Sequence, residues 1–228
     1  LQDGVQDAIK GASMGWSLHL LNARGRLSAV ESEVRAALAE AEARLGRVAT
    51  AVDVDVVIRA ADDPMPPELR VTGASYGPGR MEFGVDLTQG ATGGLREDLL
   101  RAVYHEFHHV LRWDGPGYGA SLGEALVSEG LAQVFVHEMM DCPPEPWEVM
   151  PKGVDLRALC QRADAAFDDT DYDHEAWFFG EADLPDGTGY ALGRMLVERV
   201  LAAQQGQTAL GMAHAPAAGF RGMLRDLG

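Results

Sequence analysis

The sequence predicts an α+β fold that is mostly helical and contains one small mixed or antiparallel sheet. Apolar residues recur with a helical period near both ends of the chain, whereas residues 52–87 alternate apolar and polar side chains, as half-buried strands do. The chain has 228 residues, 46% of them apolar, which is enough to bury a core. We therefore expect one domain over residues 1–228, with lobes at residues 1–113, which hold the sheet, and 114–228, which are helical.

The first lobe is expected to begin with helices and to continue with strands. Residues 2–21 and 27–45 have helical spacing, and the second of these segments is rich in Ala, Glu and Arg. From Val52 the segment VDVDVVIRA alternates with period two, which predicts a strand. The Gly and Pro residues of SYGPGR suit a turn that joins residues 70–76 and 80–87 as a hairpin.

Helical spacing returns over residues 95–113, and a second helix is predicted from Ser121 to about Met140. Ser121 and Glu124 have the spacing of a capping box at the start of this helix. The prolines of CPPEP end it, because proline cannot continue a helix. From Pro151 we expect two or three helices around an acidic, aromatic loop, DDTDYDHEAWFFGEADLPDGTG.

Charge and hydropathy exclude several classes of protein. The 19 basic and 35 acidic residues give a net charge of −16, which repels a polyanion, so no nucleic-acid partner is expected. No apolar run approaches the roughly 20 residues that span a bilayer, so we expect a soluble protein without a membrane span, located in the cytoplasm. Cys142 and Cys160 are expected to be free thiols, with a single disulfide as the alternative.

Residues 105–109 read HEFHH, an H-E-x-x-H motif inside the predicted helix. Four residues advance an α-helix by about 400°, so His105 and His109 share one face, one turn apart, and can bind one metal ion. Zn²⁺ accepts neutral imidazole nitrogens at about 2.0–2.1 Å. Glu106 flanks this face and suits a general base for metal-activated water, while Phe107 points away, into the core.

A catalytic zinc site needs a third protein ligand and an open position for water. Two carboxylates of the following helix compete for this role. Glu124 is accounted for by the capping box, whereas Glu129 lies in the apolar segment LVSEGLAQVF, where a buried carboxylate is costly unless a cation accompanies it. We therefore expect one Zn²⁺ ion, held by His105, His109 and Glu129. Gly130 would allow a neighbouring helix to approach closely.

Three further residues are candidates for supporting this site. His108 could pair with His105 as an i,i+3 ligand, but we prefer a place behind the ligands or in the core, because the i,i+4 pair aligns better. Gln133 lies one turn after Glu129 and could orient a ligand. His174, in the acidic loop, is the third candidate, with an exposed loop histidine as the alternative. The other histidines and two tyrosines are interpreted as structural: His19, Tyr104, Tyr118, His137 and His214.

The pattern HEFHH followed by SEGLA resembles the gluzincins, in which two His and a downstream Glu bind zinc, as in the aminopeptidase N family. The interval is one residue longer here, and Ser128 replaces an Asn. The chain resembles more closely a bacterial family of predicted zinc-dependent proteases, catalogued as a domain of unknown function. The motifs of that family are matched by HEFHH, EGLA (residues 129–132), WFFG (177–180) and GYALG (189–193), so that the resemblance covers about residues 80–210.

The resemblance implies a zincin-like fold whose sheet packs on the H-E-x-x-H helix. Gluzincin peptidases commonly use a Tyr or His of the C-terminal lobe to hydrogen-bond the oxyanion, a role that falls here to Tyr190, with His174 as its competitor. The expected activity is cleavage of a peptide or protein substrate, with Glu106 as general base. An extended substrate could add to the strand at residues 80–87 if that strand is an edge. The alternatives are a non-catalytic metal-binding or regulatory protein on this fold, and a hydrolase of small amides or esters.

Overall fold

A computed structural model describes residues 15–49, 52–62, 65, 69–88 and 94–228. Within these residues the protein is α+β, as predicted, with seven α-helices and one four-stranded sheet. The chain divides into two compact units, Leu1–Val110 and Leu111–Gly228, with the division inside the helix that carries HEFHH. None of the described helices combines the length and the apolar character that a membrane span requires.

The first unit holds the sheet, one whole helix and most of a second, which continues into the other unit. In chain order these elements are β1 (Trp16–Leu21), α1 (Glu31–Leu45), β2 (Val54–Ala60), β3 (Val71–Gly77), β4 (Arg80–Val85) and α2 (Leu95–Trp113). The strand order is β1-β2-β4-β3. β2 pairs in parallel with both β1 and β4, while β3 and β4 form the predicted antiparallel hairpin. The sheet is therefore mixed, one of the two forms that the sequence allowed.

The helix expected over residues 2–21 is wrong for its last six residues, because Trp16–Leu21 is strand β1. Alternate residues of this segment are half-buried and exposed, and Trp16 pairs with Val54 of β2. Six residues are too few to separate helical from strand periodicity, and pairing with a neighbouring strand decides such cases. Residues 1–14 lie outside the described residues.

The strand at residues 80–87 is not an edge. It ends at Val85, and as β4 it lies between β2 and β3, so both of its sides are hydrogen-bonded. The expectation that an extended substrate adds to this strand is therefore wrong. The turn before it uses Gly79 at φ +67°, a conformation that favours glycine.

α2 covers the predicted residues and packs on the sheet. Its Phe107 is fully buried, as expected, with its ring centroid 6.1 Å from that of Trp16 in β1. An ion pair between Arg96 and Glu40 links α2 to α1. α1 begins at Glu31, four residues after the predicted start, because residues 27–30 form turns.

The second unit is helical. It contains α3 (Leu122–Met139), α4 (Leu156–Ala165), α5 (His174–Phe178), α6 (Thr188–Ala203) and α7 (Arg221–Leu227), together with short 3₁₀ segments. α3 begins with the predicted capping box, in which Ser121 and Glu124 each accept a backbone hydrogen bond from the other. It is buried over most of its length and packs against α6.

Four α-helices follow Pro151, where two or three were expected. The short α5 lies inside the segment predicted as a loop. Asp173 caps it by accepting a hydrogen bond of 3.0 Å from the amide of Ala176. A helix of five residues is too short to give a periodic signal in the sequence. Cys142 and Cys160 are both thiols outside any disulfide, as expected, the first half-buried and the second buried.

Candidate metal centre

Two of the three histidines of HEFHH, His105 and His109, converge on one point beside α2. The Nε2 atoms of His105 and His109 lie 3.0 Å apart, with the rings nearly perpendicular, at 76°. Two nitrogens bound to one tetrahedral ion at about 2.1 Å are separated by about 3.4 Å. The pair is therefore spaced closely enough to share an ion without a change in the helix.

Glu129 of α3 completes a group of three possible ligands. One ligand atom each from His105, His109 and Glu129 lie within 4.8 Å of one another. His109 and Glu129 are only 5% and 6% exposed. Among the residues that the structure describes, this is the one group of three or more His, Cys, Asp or Glu side chains close enough to hold an ion. Two imidazoles and one carboxylate form a donor set that suits Zn²⁺.

Glu106 lies beside the histidines on α2 and is buried against β3. A Cβ atom added at Gly73 of β3 would come within 2.7 Å of Cγ and 2.8 Å of Oε1 of Glu106. The absence of a side chain at Gly73 is thus what makes room for this carboxylate. Gly73 could not be identified from the sequence, because nothing local separates it from the other 26 glycines of the chain.

Tyr118 binds the Glu129 carboxylate. Its hydroxyl donates a hydrogen bond of 2.8 Å to Oε1 of Glu129. Burial, with the negative charge of Glu129 as the second cause, raises the pKa of Tyr118 well above its usual value. Burial also raises the pKa of Tyr172 to about 12, and Glu129 contributes to this shift. Two tyrosines therefore stay protonated beside Glu129 at neutral pH, and one of them, Tyr118, is a residue that was predicted to be only structural.

Arg112 ties the end of α2 to the residue before Glu129. Its fully buried guanidinium donates hydrogen bonds of 3.1 Å to Oγ of Ser128 and 2.9 Å to the carbonyl oxygen of Ala213. Burial lowers the pKa of Arg112 to about 10, so that it is a cation at neutral pH. Ser128 thus anchors α3 to the end of α2 through this hydrogen bond.

Glu124 takes no part in the group of possible ligands. Its Oε2 accepts hydrogen bonds from the amides of Ala120 (2.8 Å) and Ser121 (3.0 Å), as the capping box requires. The hydrogen bond from Ser121 is the largest cause that holds the pKa of Glu124 below its usual value. Of the two competing carboxylates, Glu129 is the one beside the histidines.

Tyr190 and His174 both contact Phe178. Tyr190, in the first turn of α6, meets the ring of Phe178 edge-on at 4.9 Å. His174 stacks on the same ring at 4.5 Å and is hydrogen-bonded to the hydroxyl of Tyr172 at 2.9 Å. His174 is therefore a half-buried helical residue, not an exposed loop histidine. Tyr190 also contributes to the raised pKa of Tyr118, after burial and Glu129.

The two other candidates are buried. His108 is fully buried on α2 and is absent from the group of possible ligands. Gln133 is 1% exposed, and neither atom of its amide has a hydrogen-bond partner among the described residues. The structure thus gives Gln133 no direct bond to a possible ligand.

Glycines allow the sequence motifs of the second unit to lie in close contact. A Cβ atom added at Gly130, in EGLA, would lie 2.2 Å from the carbonyl oxygen of Gly193, in GYALG. A Cβ atom at Gly189 would lie 2.9 Å from the ring of Phe178, in WFFG. The expectation that Gly130 allows a close approach of another helix is confirmed, and that helix is α6.

Comparison with known proteins finds no curated protein and no solved structure that matches this chain. A family model does match. It is described as a predicted Zn-dependent protease (DUF2268) and covers residues 34–220, which include both histidines, Glu129 and the C-terminal motifs. Because the match spans most of the sequence, the chain belongs to this family of predicted Zn-dependent proteases.

Proposed function

We propose that this protein is a zinc-dependent peptidase of the gluzincin type, in which His105, His109 and Glu129 hold one Zn²⁺ ion. The observation that carries the proposal is the convergence of these side chains, one ligand atom of each within 4.8 Å of the others. Leaving a buried carboxylate beside two imidazoles is unfavourable unless a cation compensates. The family description supports zinc as that cation.

Glu106 is the proposed general base. Zinc, when bound, acidifies a water molecule and polarises the carbonyl group of the substrate. Glu106 takes the proton of the attacking water and delivers it to the nitrogen of the departing amine, which cleaves the peptide bond. Its place next to His105 in the sequence and its burial against Gly73 support this role, because both fix the carboxylate beside the ligands.

Tyr190 is the proposed donor to the oxyanion that forms in the transition state, with His174 as its competitor. Preorganised donors aimed at developing charge are among the largest contributions to catalysis. The edge-on packing of Tyr190 on Phe178 supports a fixed orientation of its ring. His174 is engaged with Tyr172 and Phe178, which favours Tyr190 of the two.

Three residues are proposed to support the ligands without binding the ion. Tyr118 would orient Glu129 through its hydroxyl, which donates a hydrogen bond to Oε1. His108 precedes His109 on α2, and Gln133 lies about one turn after Glu129 on α3. Both side chains are buried and are proposed to hold the helices that carry the ligands in place. Of these three residues, Tyr118 is the one that a described hydrogen bond joins to a proposed ligand.

The proposal is tested by Glu106→Gln, with Glu97→Gln, an exposed position on the same helix, as the matched control. Zinc content is measured by metal analysis, and hydrolysis by mass spectrometry on a peptide library. We expect Glu106→Gln to retain one zinc per chain and to lose at least about 100-fold in rate, the usual range for a general base. Glu97→Gln should match the unchanged protein in both measurements.

The same measurements separate the alternatives. A zinc-loaded protein that cleaves no peptide contradicts the peptidase and supports a non-catalytic metal-binding protein. Cleavage of small amides or esters but not of peptides supports the other alternative, a hydrolase of small amides or esters. Loss of zinc from Glu106→Gln, or an unchanged rate, contradicts the role of general base.

A further inference from the structure

A cysteine, a histidine and a glutamate follow one another near the C-terminal end of α3. His137 lies in the last turn of this helix, Cys142 in the loop after it, and Glu148 at the end of the 3₁₀ segment Pro146–Glu148. Sγ of Cys142 is 3.8 Å from Nδ1 of His137, and Nε2 of His137 is 2.7 Å from Oε2 of Glu148. One imidazole thus connects a thiol and a carboxylate through its two nitrogens.

The carboxylate determines which nitrogen carries a proton. Oε2 of Glu148 accepts a hydrogen bond of 3.2 Å from the amide of Glu145, and Nη1 of Arg194 in α6 lies 3.6 Å from the same oxygen. Glu148 is 5% exposed, so these donors act on it away from water. Toward such a carboxylate Nε2 is the donor, which leaves Nδ1 of a neutral His137 as an acceptor. The acceptor faces the sulfur, so the thiol proton can pass to the ring.

The two cysteines of the chain differ in the features that control reactivity. Cys142 is half-buried and has the imidazole beside its sulfur. Cys160, in α4, is 2% exposed, and burial raises the pKa of its thiol. Since the thiolate is the nucleophile, Cys160 is expected to be inert in the folded protein, and it serves as an internal reference.

We propose that Cys142 is a nucleophilic thiol and a site of covalent modification by small electrophiles such as hydrogen peroxide, with His137 as its base and Glu148 as the residue that positions His137. The site stands apart from the zinc ligands. His137 is eight residues beyond Glu129, a rise of about 12 Å along α3. The proposal does not rest on the peptidase function.

The reaction is a two-electron displacement at the sulfur. The thiol proton moves to Nδ1 of His137, and the sulfur attacks one oxygen of hydrogen peroxide, so that an S–O bond forms as the O–O bond breaks. The departing hydroxide takes the proton from the imidazolium and leaves as water. Sulfur is oxidised to a sulfenic acid, peroxide is reduced, and His137 returns to its neutral form.

The test is the rate of alkylation by iodoacetamide from pH 5.5 to 9.5 on the full-length protein, with peptide mapping to separate the two cysteines. Iodoacetamide reports the thiolate, because an S–C bond forms as iodide leaves. We expect Cys142 to reach half of its maximal rate at least one pH unit below the value of about 8.5 typical of a free thiol. At pH 6.5 the rate at Cys142 should exceed that at Cys160 by at least tenfold.

Two variants assign the roles. His137→Gln should lower the rate at Cys142 by at least tenfold at pH 6.5. Glu148→Gln, which keeps the shape of the side chain but removes its charge, should shift the profile toward higher pH. After exposure to hydrogen peroxide, dimedone should label Cys142 more in the unchanged protein than in either variant. In the described contacts, the charged group that faces His137 is Glu148. Arg194 forms an ion pair with Glu148 and a second one with Glu198.

An ordinary pH profile at Cys142 in the unchanged protein overturns the proposal. An acid-shifted profile that His137→Gln leaves unchanged overturns the assignment of His137 as the base. If a variant exposes Cys160 to the reagent, its fold is disturbed, and the profile of the unchanged protein then decides.

Discussion

The hydroxyl of Tyr118 donates a hydrogen bond of 2.8 Å to Oε1 of Glu129, a carboxylate that is only 6% exposed. Tyr118 lies in a loop between Gly117 and Gly119, whose φ angles of +77° and +93° favour glycine. The backbone of this loop therefore places a phenol over the carboxylate. A donor that fixes one oxygen of a ligand also fixes the direction of the other.

Tyr118→Phe is expected to weaken zinc binding without abolishing it. Loss of a group that orients a metal ligand lowers affinity by about 10- to 100-fold, because the carboxylate is free to rotate. Competition with a chromogenic chelator measures this affinity. Tyr76→Phe, at a tyrosine that is 66% exposed, is the control and should bind zinc as the unchanged protein does. Equal affinities in all three proteins would show that Tyr118 does not position Glu129.

Gly73→Ala is expected to impair catalysis while zinc stays bound. The added Cβ atom would lie 2.7 Å from Cγ of Glu106, too close for this side chain to keep its position. Displacing a general base from its productive geometry lowers the rate by about 100-fold. Zinc content and kcat are measured together.

The matched control for Gly73→Ala is Gly77→Ala in the same strand, where an added Cβ atom meets no atom within 4 Å. Gly77→Ala should leave kcat unchanged. If Gly73→Ala also retains full activity, Glu106 either moves without consequence or is not the base.

The parts of the site that could be predicted are those whose information is local. His105 and His109 share a helix, so their spacing alone predicts convergence, and the structure places their Nε2 atoms 3.0 Å apart. Glu129 was predicted to be a metal ligand because a carboxylate in an apolar segment is costly to bury unless a cation accompanies it. The capping box of Ser121 and Glu124 is likewise encoded in four consecutive residues.

The parts that could not be predicted depend on contacts between distant segments. Residues Trp16–Leu21 form strand β1 because they pair with β2. No property of these six residues alone requires a strand. Arg112 looks like an ordinary basic residue in the last turn of a helix, yet it is fully buried and bonded to Ser128. Tyr118 and Gly73 carry no periodic signal. Each matters through a partner, Glu129 or Glu106, that only the folded chain places beside it.

Gly130→Ala is expected to destabilise the second unit. An added Cβ atom would lie 2.2 Å from the carbonyl oxygen of Gly193, which is backbone and cannot rotate away, so α3 and α6 would have to separate. Overpacking of this kind costs about 1–3 kcal/mol, occasionally more. Urea unfolding followed by circular dichroism measures the change in the free energy of unfolding.

Gly222→Ala in α7 is the control for Gly130→Ala, since a Cβ atom there meets nothing within 4 Å. It should leave stability unchanged or raise it by up to about 1 kcal/mol, because alanine favours the helix. Equal stability of the two variants would show that the fold does not depend on the close approach of α3 and α6 at Gly130.

Glu124→Gln is expected to lower stability at neutral pH and to have little effect in acid. The hydrogen bond from the amide of Ser121, the largest cause, holds the pKa of Glu124 in the folded protein below its usual value of 4.5. A carboxyl with a depressed pKa stabilises the fold above its unfolded pKa, and this stabilisation is lost as the pH falls through the folded pKa. At pH 7 the variant should lose about 0.3–1 kcal/mol, the usual effect of a negative charge at a helix N-terminus.

Ser121→Ala separates the charge of Glu124 from the rest of the capping box. It removes the hydroxyl that accepts a hydrogen bond of 3.3 Å from the amide of Glu124, and the loss of such a cap costs about 0.5–2 kcal/mol. Because a serine hydroxyl does not titrate in this range, the loss in Ser121→Ala should persist below pH 4, where that of Glu124→Gln fades. Urea unfolding at pH 7 and at pH 3.5 compares the two variants. A loss in Glu124→Gln that is the same at both pH values would mean that hydrogen-bond geometry, and not the charge of Glu124, stabilises the start of α3.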